Sequence, residues 1–281
     1  MKAGQYLGMR GDDLEGKRYA KYWQPDMQPL QAHVAHAVLH GPEASRLGFL
    51  MSEADQLLEP GDLPLENGYT TLPSGQIFVA VRTEMPRVTG AMFEWWMGWH
   101  YMEAQRYKLW HPRAHVANGT EEMLGDDPDL SDRVKYMTTH KVTEYVGERL
   151  EDITITFSDP ETIFPDPSLF NQAGTTAMVC GRVALQRAPV TIGHLIHQIR
   201  TTASGSEMRS RFWLGPPQFY GLRLNNPINR LLGSKFFSNL FLDAQVGRDL
   251  LVHCGMEMNH LAGFLPSLYE DYHSEPGSAG L

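Results

Sequence analysis

The stretch His253-Cys-Gly-Met-Glu257 lies in a long, mostly apolar run near the C-terminus. On a helix, a histidine and a glutamate four residues apart project from one face, one turn apart. Both can therefore reach a single metal ion. Leu250, Leu251, Val252, Met256, Met258, Leu261 and Phe264 make this helix apolar nearly all round, and a buried charge in such company needs a partner or a metal. Spacing alone also describes an ordinary solvated His/Glu pair. Two ligands are half a site, so the other half must come from elsewhere in the chain.

Two further segments carry candidate ligands. In Tyr107-Lys-Leu-Trp-His-Pro-Arg-Ala-His115-Val-Ala-Asn118, residues 107, 111 and 115 would share one face of a strand, although Pro112 interrupts a regular one. Either His111 or His115 is a candidate third ligand; the bland alternative is two hydrogen-bonded loop histidines. In Val142-Thr-Glu144-Tyr-Val-Gly, Glu144 sits in a β-branched run and can face either way. The chain has no P-loop, dinucleotide fingerprint or nucleophile elbow, and Ser204-Gly-Ser206 is too ordinary to mark a nucleophile.

The elements that must position these residues are legible in outline. Residues 1–72 read as a small, partly helical N-terminal region, with a helical stretch from Gln28 to His40 and a short turn opened by Ser52-Glu-Ala-Asp55. The turn-rich Glu59–Gly68 segment reads as a linker to a main domain over 73–281. In that domain Ile77–Thr83 predicts a strand, and Thr89–Arg106, after Pro86, a helix. Tyr107–Val116, Lys141–Phe157, Ala177–Arg187, Val190–Arg200 and Glu207–Leu214 predict strands, and Leu240–Tyr272 a long helix. Gly277-Ser-Ala-Gly280 reads as a short flexible tail. Helices at the ends and strands between them argue an α+β fold, with a curved antiparallel sheet around one long helix enclosing a cavity.

Composition narrows the function classes. Among 281 residues, 42% are hydrophobic and 20% charged, as in a globular protein with a substantial core. A net charge of −9 argues against nucleic acid or an anionic membrane as partner. Cys180 and Cys254, the only two cysteines, make neither a disulfide framework nor a thiolate metal site, which points to a reducing cytoplasm. The first residues show no apolar signal region, and no apolar run approaches the ~20 residues of a membrane helix.

Several motifs, taken together, carry a family resemblance. Trp95-Trp96, Arg106-Tyr-Lys-Leu-Trp-His-Pro-Arg-Ala-His115, Glu207-Met-Arg-Ser-Arg-Phe-Trp213 and His253-Cys-Gly-Met-Glu-Met-Asn-His260 resemble the 2,4-diacetylphloroglucinol hydrolase family, which includes phloretin hydrolase. The likeness spans most of the chain after about residue 73. It implies a Bet v1-like (START-like) domain with a zinc site, and a small helical N-terminal part tied to homodimer formation. Carried over by position, it puts Zn2+ on His115, Glu144, His253 and Glu257. It makes Tyr107, Asn118 and His197 contacts to the phenolic oxygens of the substrate. Phe212 stands where the family pattern implies a tyrosine, which removes a hydroxyl from the pocket. Met92, Trp96, Trp213 and Phe264 are further candidate lining residues.

The activity implied is hydrolysis of the carbon–carbon bond between an acyl group and a phenolic ring. Zinc would activate water, Tyr107, Asn118 and His197 would stabilise the departing ring as an enolate, and Glu144 or Glu257 would double as general base. Two other readings share residue types with it. Two histidines and a carboxylate also compose the iron(II) site of a non-haem oxygenase, and the same cavity without catalysis would make a carrier of hydrophobic ligands.

Overall fold

The computed structural model describes residues 6–221, 226–232 and 243–274. Its centre is one antiparallel sheet of eight strands: β1 (Gly68–Thr71), β2 (Ile77–Glu84), β3 (His115–Thr120), β4 (Thr139–Val146), β5 (Arg149–Ser158), β6 (Thr175–Leu185), β7 (Val190–Thr202) and β8 (Gly205–Phe219). They lie in the order β1-β2-β8-β7-β6-β5-β4-β3. The helices are α1 (Ala32–His40), α2 (Gly90–His100), α3 (Ala104–Trp110), α4 (Asp132–Tyr136), α5 (Ser168–Gln172), α6 (Pro227–Leu232) and α7 (Ala244–Tyr272). The curved sheet, the long C-terminal helix packed on it and the α+β order are those expected from the sequence. No helix among the described residues is long and apolar enough to cross a membrane.

Period-two alternation along the strands builds two cores. Val79, Val81, Val179, Leu195, Ile199, Met208 and Phe212 face α7, meeting Leu251, Cys254, Met258, Leu261 and Leu265. Their neighbours Phe78, Ala80, Met178, Cys180, Ile196 and Trp213 face the other way, onto Phe49, Leu57, Leu58 and Leu65 of the N-terminal segment. Trp213 therefore lines no pocket on the helix side. It is fully buried, and its indole N–H donates to the Phe49 carbonyl at 2.7 Å.

Several boundaries differ from expectation for local reasons. The run Tyr107–Val116 is not one strand. Its first residues are helical in α3, and the helix stops at His111, whose successor Pro112 disfavours a helical conformation there. The chain then turns and enters β3 at His115. Thr89–Arg106 is two helices, α2 and the start of α3. Lys141–Phe157 is a hairpin, with Gly147 at φ +61 in its turn, where an added Cβ would also lie 2.3 Å from the Asp249 carboxylate. The turn expected at Ser52 begins one residue earlier, in a 3₁₀ run Met51–Leu58, with the Leu50 N–H donating to Glu53. The C-terminal helix begins at Ala244, capped by Asp243. The 277–280 tail and residues 240–242 lie outside the described residues.

The Glu59–Gly68 segment does more than link. Glu66 accepts two hydrogen bonds from Arg209 at 2.6 and 3.1 Å, one from the Leu63 N–H at 2.7 Å, and one from Arg211. Arg209 and Arg211 are fully buried on β8. Beside them Arg200 pairs with Glu207 at 2.6 Å and with Asp62 at 2.7 Å. Burial by itself would raise the Glu66 pKa, but the two arginine charges and the hydrogen bonds outweigh it and hold the group at about 2. With its pKa depressed in the folded state, Glu66 stabilises the protein above its unfolded-state pKa. That contribution fades as pH falls through the range from about 4.5 to about 2. Glu66→Gln is expected to cost about 3 kcal/mol in urea unfolding at pH 7. It should also remove part of the stability loss that the wild-type protein shows on acidification across that range.

Candidate metal centre

Three elements meet where β3 and β4 pass under α7. His115 opens β3, directly paired with Glu144 on β4. His253 and Glu257 descend from α7 on one face, as the i, i+4 spacing predicts. His115, His253 and Glu257 are all buried, with ligand atoms lying within 4.8 Å of one another.

Hydrogen bonds aim the ligands. His115 Nδ1 donates to the Tyr107 carbonyl at 2.9 Å, and His253 Nδ1 to the Tyr145 carbonyl at 3.0 Å. Because a carbonyl can only accept, each ring carries a proton on Nδ1, so that a neutral ring presents its Nε2 lone pair to the cluster. The two Nε2 atoms lie 3.5 and 3.7 Å from Glu257 Oε2. Ligands at 2.0–2.1 Å around one tetrahedral ion would stand about 3.3 Å apart, so the cluster is close to the size one ion requires. His115 Nε2 is buried with no hydrogen-bond partner, an orphaned atom that a metal would satisfy. These donors fit a divalent transition metal.

The electrostatics agree. Burial lowers the His115 pKa to about 3, so the ring is neutral and available as a ligand. Burial pushes Glu257 up to about 8, with Glu144 adding to the rise and His253 opposing it. Near neutral pH such a carboxylate holds either a proton or a cation.

Glu144 flanks this trio, its Oε2 3.6 Å from His115 Nε2, and the same oxygen accepts a hydrogen bond from the Tyr107 hydroxyl. Tyr107 reaches it from helix α3, its ring stacked on His115 at 3.7 Å and 6°. Burial and the Glu144 charge raise the Tyr107 pKa far above the usual range and keep the phenol protonated. His111, the rival candidate, stacks on the His253 ring at 4.7 Å and stands outside the trio.

The remaining candidates form adjoining groups. His197 on β7 shares a 2.8 Å hydrogen bond with the Ser210 hydroxyl on β8, and burial lowers its pKa to about 3. Its ring meets the edges of Phe93 and Phe212, with centroids 6.1 and 5.6 Å away. Asn118 on β3 donates to the His100 carbonyl at 3.3 Å and leaves a buried Oδ1 without a partner. Met92 and Phe264 pack in the helix-side core, where Phe264 meets the Trp96 ring at 5.7 Å. Both cysteines are free, and burial raises both thiols, so neither is a ready nucleophile. A cavity of about 300 Å³ opens beside the centre, and both Glu144 and Phe212 line it. The carbonyls of Tyr107 and Tyr145 and the Ser210 partner of His197 escape sequence reading, because only strand pairing and backbone geometry bring them in.

The sequence matches the family model of the DAPG hydrolase PhiG domain over residues 49–270. The chain belongs to this family. It is 32% identical to 2,4-diacetylphloroglucinol hydrolases of a Pseudomonas species and of Pseudomonas protegens, over 92% of this chain and 90% and 86% of theirs. It is 26% identical to the phloretin hydrolase of Eubacterium ramulus, over 90% of this chain and 89% of that protein. Among solved structures, that of Ara h 8.0201 superposes with a TM-score of 0.38 at 12% identity, covering 69% of this chain and 99% of that one. The family is one of hydrolases.

The geometry separates ligands from neighbours. His115→Ala and His253→Ala are each expected to weaken binding of a divalent transition metal at least ~10-fold, since removing even a supporting partner typically costs 10–100-fold in affinity. His111→Ala is expected to keep its metal. Equal losses in all three variants, by elemental analysis, would show that the assignment is wrong.

Proposed function

We propose that this protein hydrolyses the carbon–carbon bond joining an acyl group to a phenolic ring in acylphloroglucinols, using Zn2+ held by His115, His253 and Glu257 with Glu144 as a looser fourth ligand. The observation that carries the reading is the convergence of two Nε2 lone pairs, both locked by backbone carbonyls, on one buried carboxylate. The names of the relatives supply the substrate class, an acylated phloroglucinol or phloretin. In the net reaction the hydroxyl of water goes to the acyl carbon. The aryl–acyl bond breaks with its electron pair on the ring carbon, and a proton ends there, giving a carboxylic acid and the deacylated phenol. Bound by these residues, Zn2+ would supply Lewis-acid polarisation of the acyl carbonyl and a lowered pKa for water.

The chain's own residues handle the departing ring. Its charge spreads onto the phenolic oxygens, and fixed donors in a buried site stabilise that charge better than water does. Tyr107, kept protonated, supplies one O–H once its bond to Glu144 is released. Asn118 adds its amide. His197 is neutral, so it acts on a phenolic oxygen through an N–H rather than as an imidazolium, and the proton that reaches the ring carbon is the one water gives up to Glu144 or Glu257. Aromatic rings wall this face, Phe93 and Phe212 around His197 and Trp96 against Phe264.

The same two-histidine, one-carboxylate composition suits iron(II), so the test is run without oxygen. Purified protein is expected to release carboxylic acid from mono- and diacetylphloroglucinol anaerobically, to stop with a chelator and to recover with zinc. Acid release that required oxygen and iron would reject the hydrolase. Tyr107→Phe is expected to bind zinc normally and to lose roughly 10²-fold in kcat; a wild-type rate in that variant would remove Tyr107 from the reaction.

A further inference from the structure

We infer that the 300 Å³ cavity beside the metal centre is a subsite for the acyl tail, and that the preferred substrate carries a long or aryl-ended acyl group rather than acetyl. This rests on the proposed hydrolase reading and deepens it. The cavity lies between α7 and the β4–β8 face of the sheet, with Ile153, Val183, Leu195 and Leu214 among its apolar walls. Its polar residues are few: Glu144, Arg149, Glu151 and Asp249.

Position ties it to the chemistry. On α7 it is lined by Val246, Asp249 and Leu250, while the ligands His253 and Glu257 follow directly. Leu250 precedes His253 by three residues, about 4.5 Å along the helix axis. Glu144 belongs to both the cavity wall and the metal cluster's edge. Phe212 belongs to both the cavity wall and the surroundings of His197. Tyr107, Asn118 and His197, which hold the ring oxygens, are not among the lining residues. With the ring on their side and the acyl carbon at the metal, the substituent on that carbon points past Glu144 into the cavity.

Size sets the class of tail. A cavity of about 150 Å³ admits benzene, so one twice as large takes an aryl ring on a short linker or an alkyl chain of about seven carbons. Acetyl would leave it almost unfilled. Burying each further CH2 is worth about 0.8 kcal/mol, a three- to fourfold gain per carbon. A cavity that holds the tail equally in the ground and transition states puts the gain in KM, with kcat nearly level.

The test uses the zinc-loaded protein and monoacylphloroglucinols from acetyl to decanoyl, together with the 3-phenylpropanoyl compound. KM is expected to fall three- to fourfold per carbon up to about octanoyl and then rise, with the phenylpropanoyl compound on the favourable side. Calorimetric titration with the straight-chain acids, acetate to decanoate, gives a readout independent of turnover and should show the same slope in Kd. Val183→Phe, which fills the cavity from β6, is expected to flatten both slopes. Cleavage of the acetyl compound with KM and Kd independent of chain length would overturn the subsite and leave the hydrolase standing. Failure to cleave any member of the series would overturn the hydrolase reading itself, and the subsite with it.

Discussion

A buried carboxylate that two histidines face is the constraint around which this molecule is arranged. Glu257 lies deep in the core on a helix whose other inward residues are Leu251, Cys254, Met258 and Leu261. Burying an unpaired charge there would cost several kcal/mol. The fold does not answer with a lysine or arginine. It offers two imidazole lone pairs, and lone pairs do not stabilise an anion. Only a proton or a cation resolves the arrangement, and the 3.5 and 3.7 Å separations leave room for a metal ion between the three atoms. The backbone carbonyls of Tyr107 and Tyr145 complete the device, because they forbid either ring from turning its N–H toward the carboxylate.

That device needs rigid surroundings, and the N-terminal segment supplies part of them. It packs on the outer face of the sheet, where Glu66 pairs with two fully buried arginines on β8. The alternation of β8 then transmits the effect. Arg209 and Arg211 hold the strand from outside, along with Trp213, and Met208 and Phe212 face inward to the core and cavity. A wall residue of the cavity is thus positioned by a salt-bridge network on the opposite side of the sheet.

Much of this was legible in the sequence, and the failures have physical causes. The i, i+4 ligand pair on α7 follows from helical periodicity, which dominates in a run of that length. The strands β2, β6, β7 and β8 were readable because their β-branched and aromatic residues alternate between two cores. The segment from Tyr107 to Val116 misled because its aromatic content mimics a strand, whereas Pro112 splits it into a helix end and a strand start. The choice between His111 and His115 needed that correction. On a strand both would face the same side; with the turn in place, only His115 pairs with Glu144 across the β3–β4 ladder. Trp213 is a candidate lining residue in the sequence, but register decides its face, and register depends on pairing with β2 and β7.

The neutrality of the buried histidines limits how the site can move charge. His115 and His197 are both held near pKa 3 by burial, so neither carries a proton as an imidazolium at neutral pH. The protonated groups poised for donation are the Tyr107 phenol and the single N–H on each ring. Glu144 already holds the phenol through a hydrogen bond. Whatever draws Glu144 toward the metal cluster loosens that bond and frees the phenol for a ligand's oxygen, and whatever restores the bond withdraws it. Cluster and donor are therefore linked through one carboxylate oxygen. A substitution at Glu144 should disturb metal affinity and phenol positioning together, whereas one at Tyr107 should disturb the second alone.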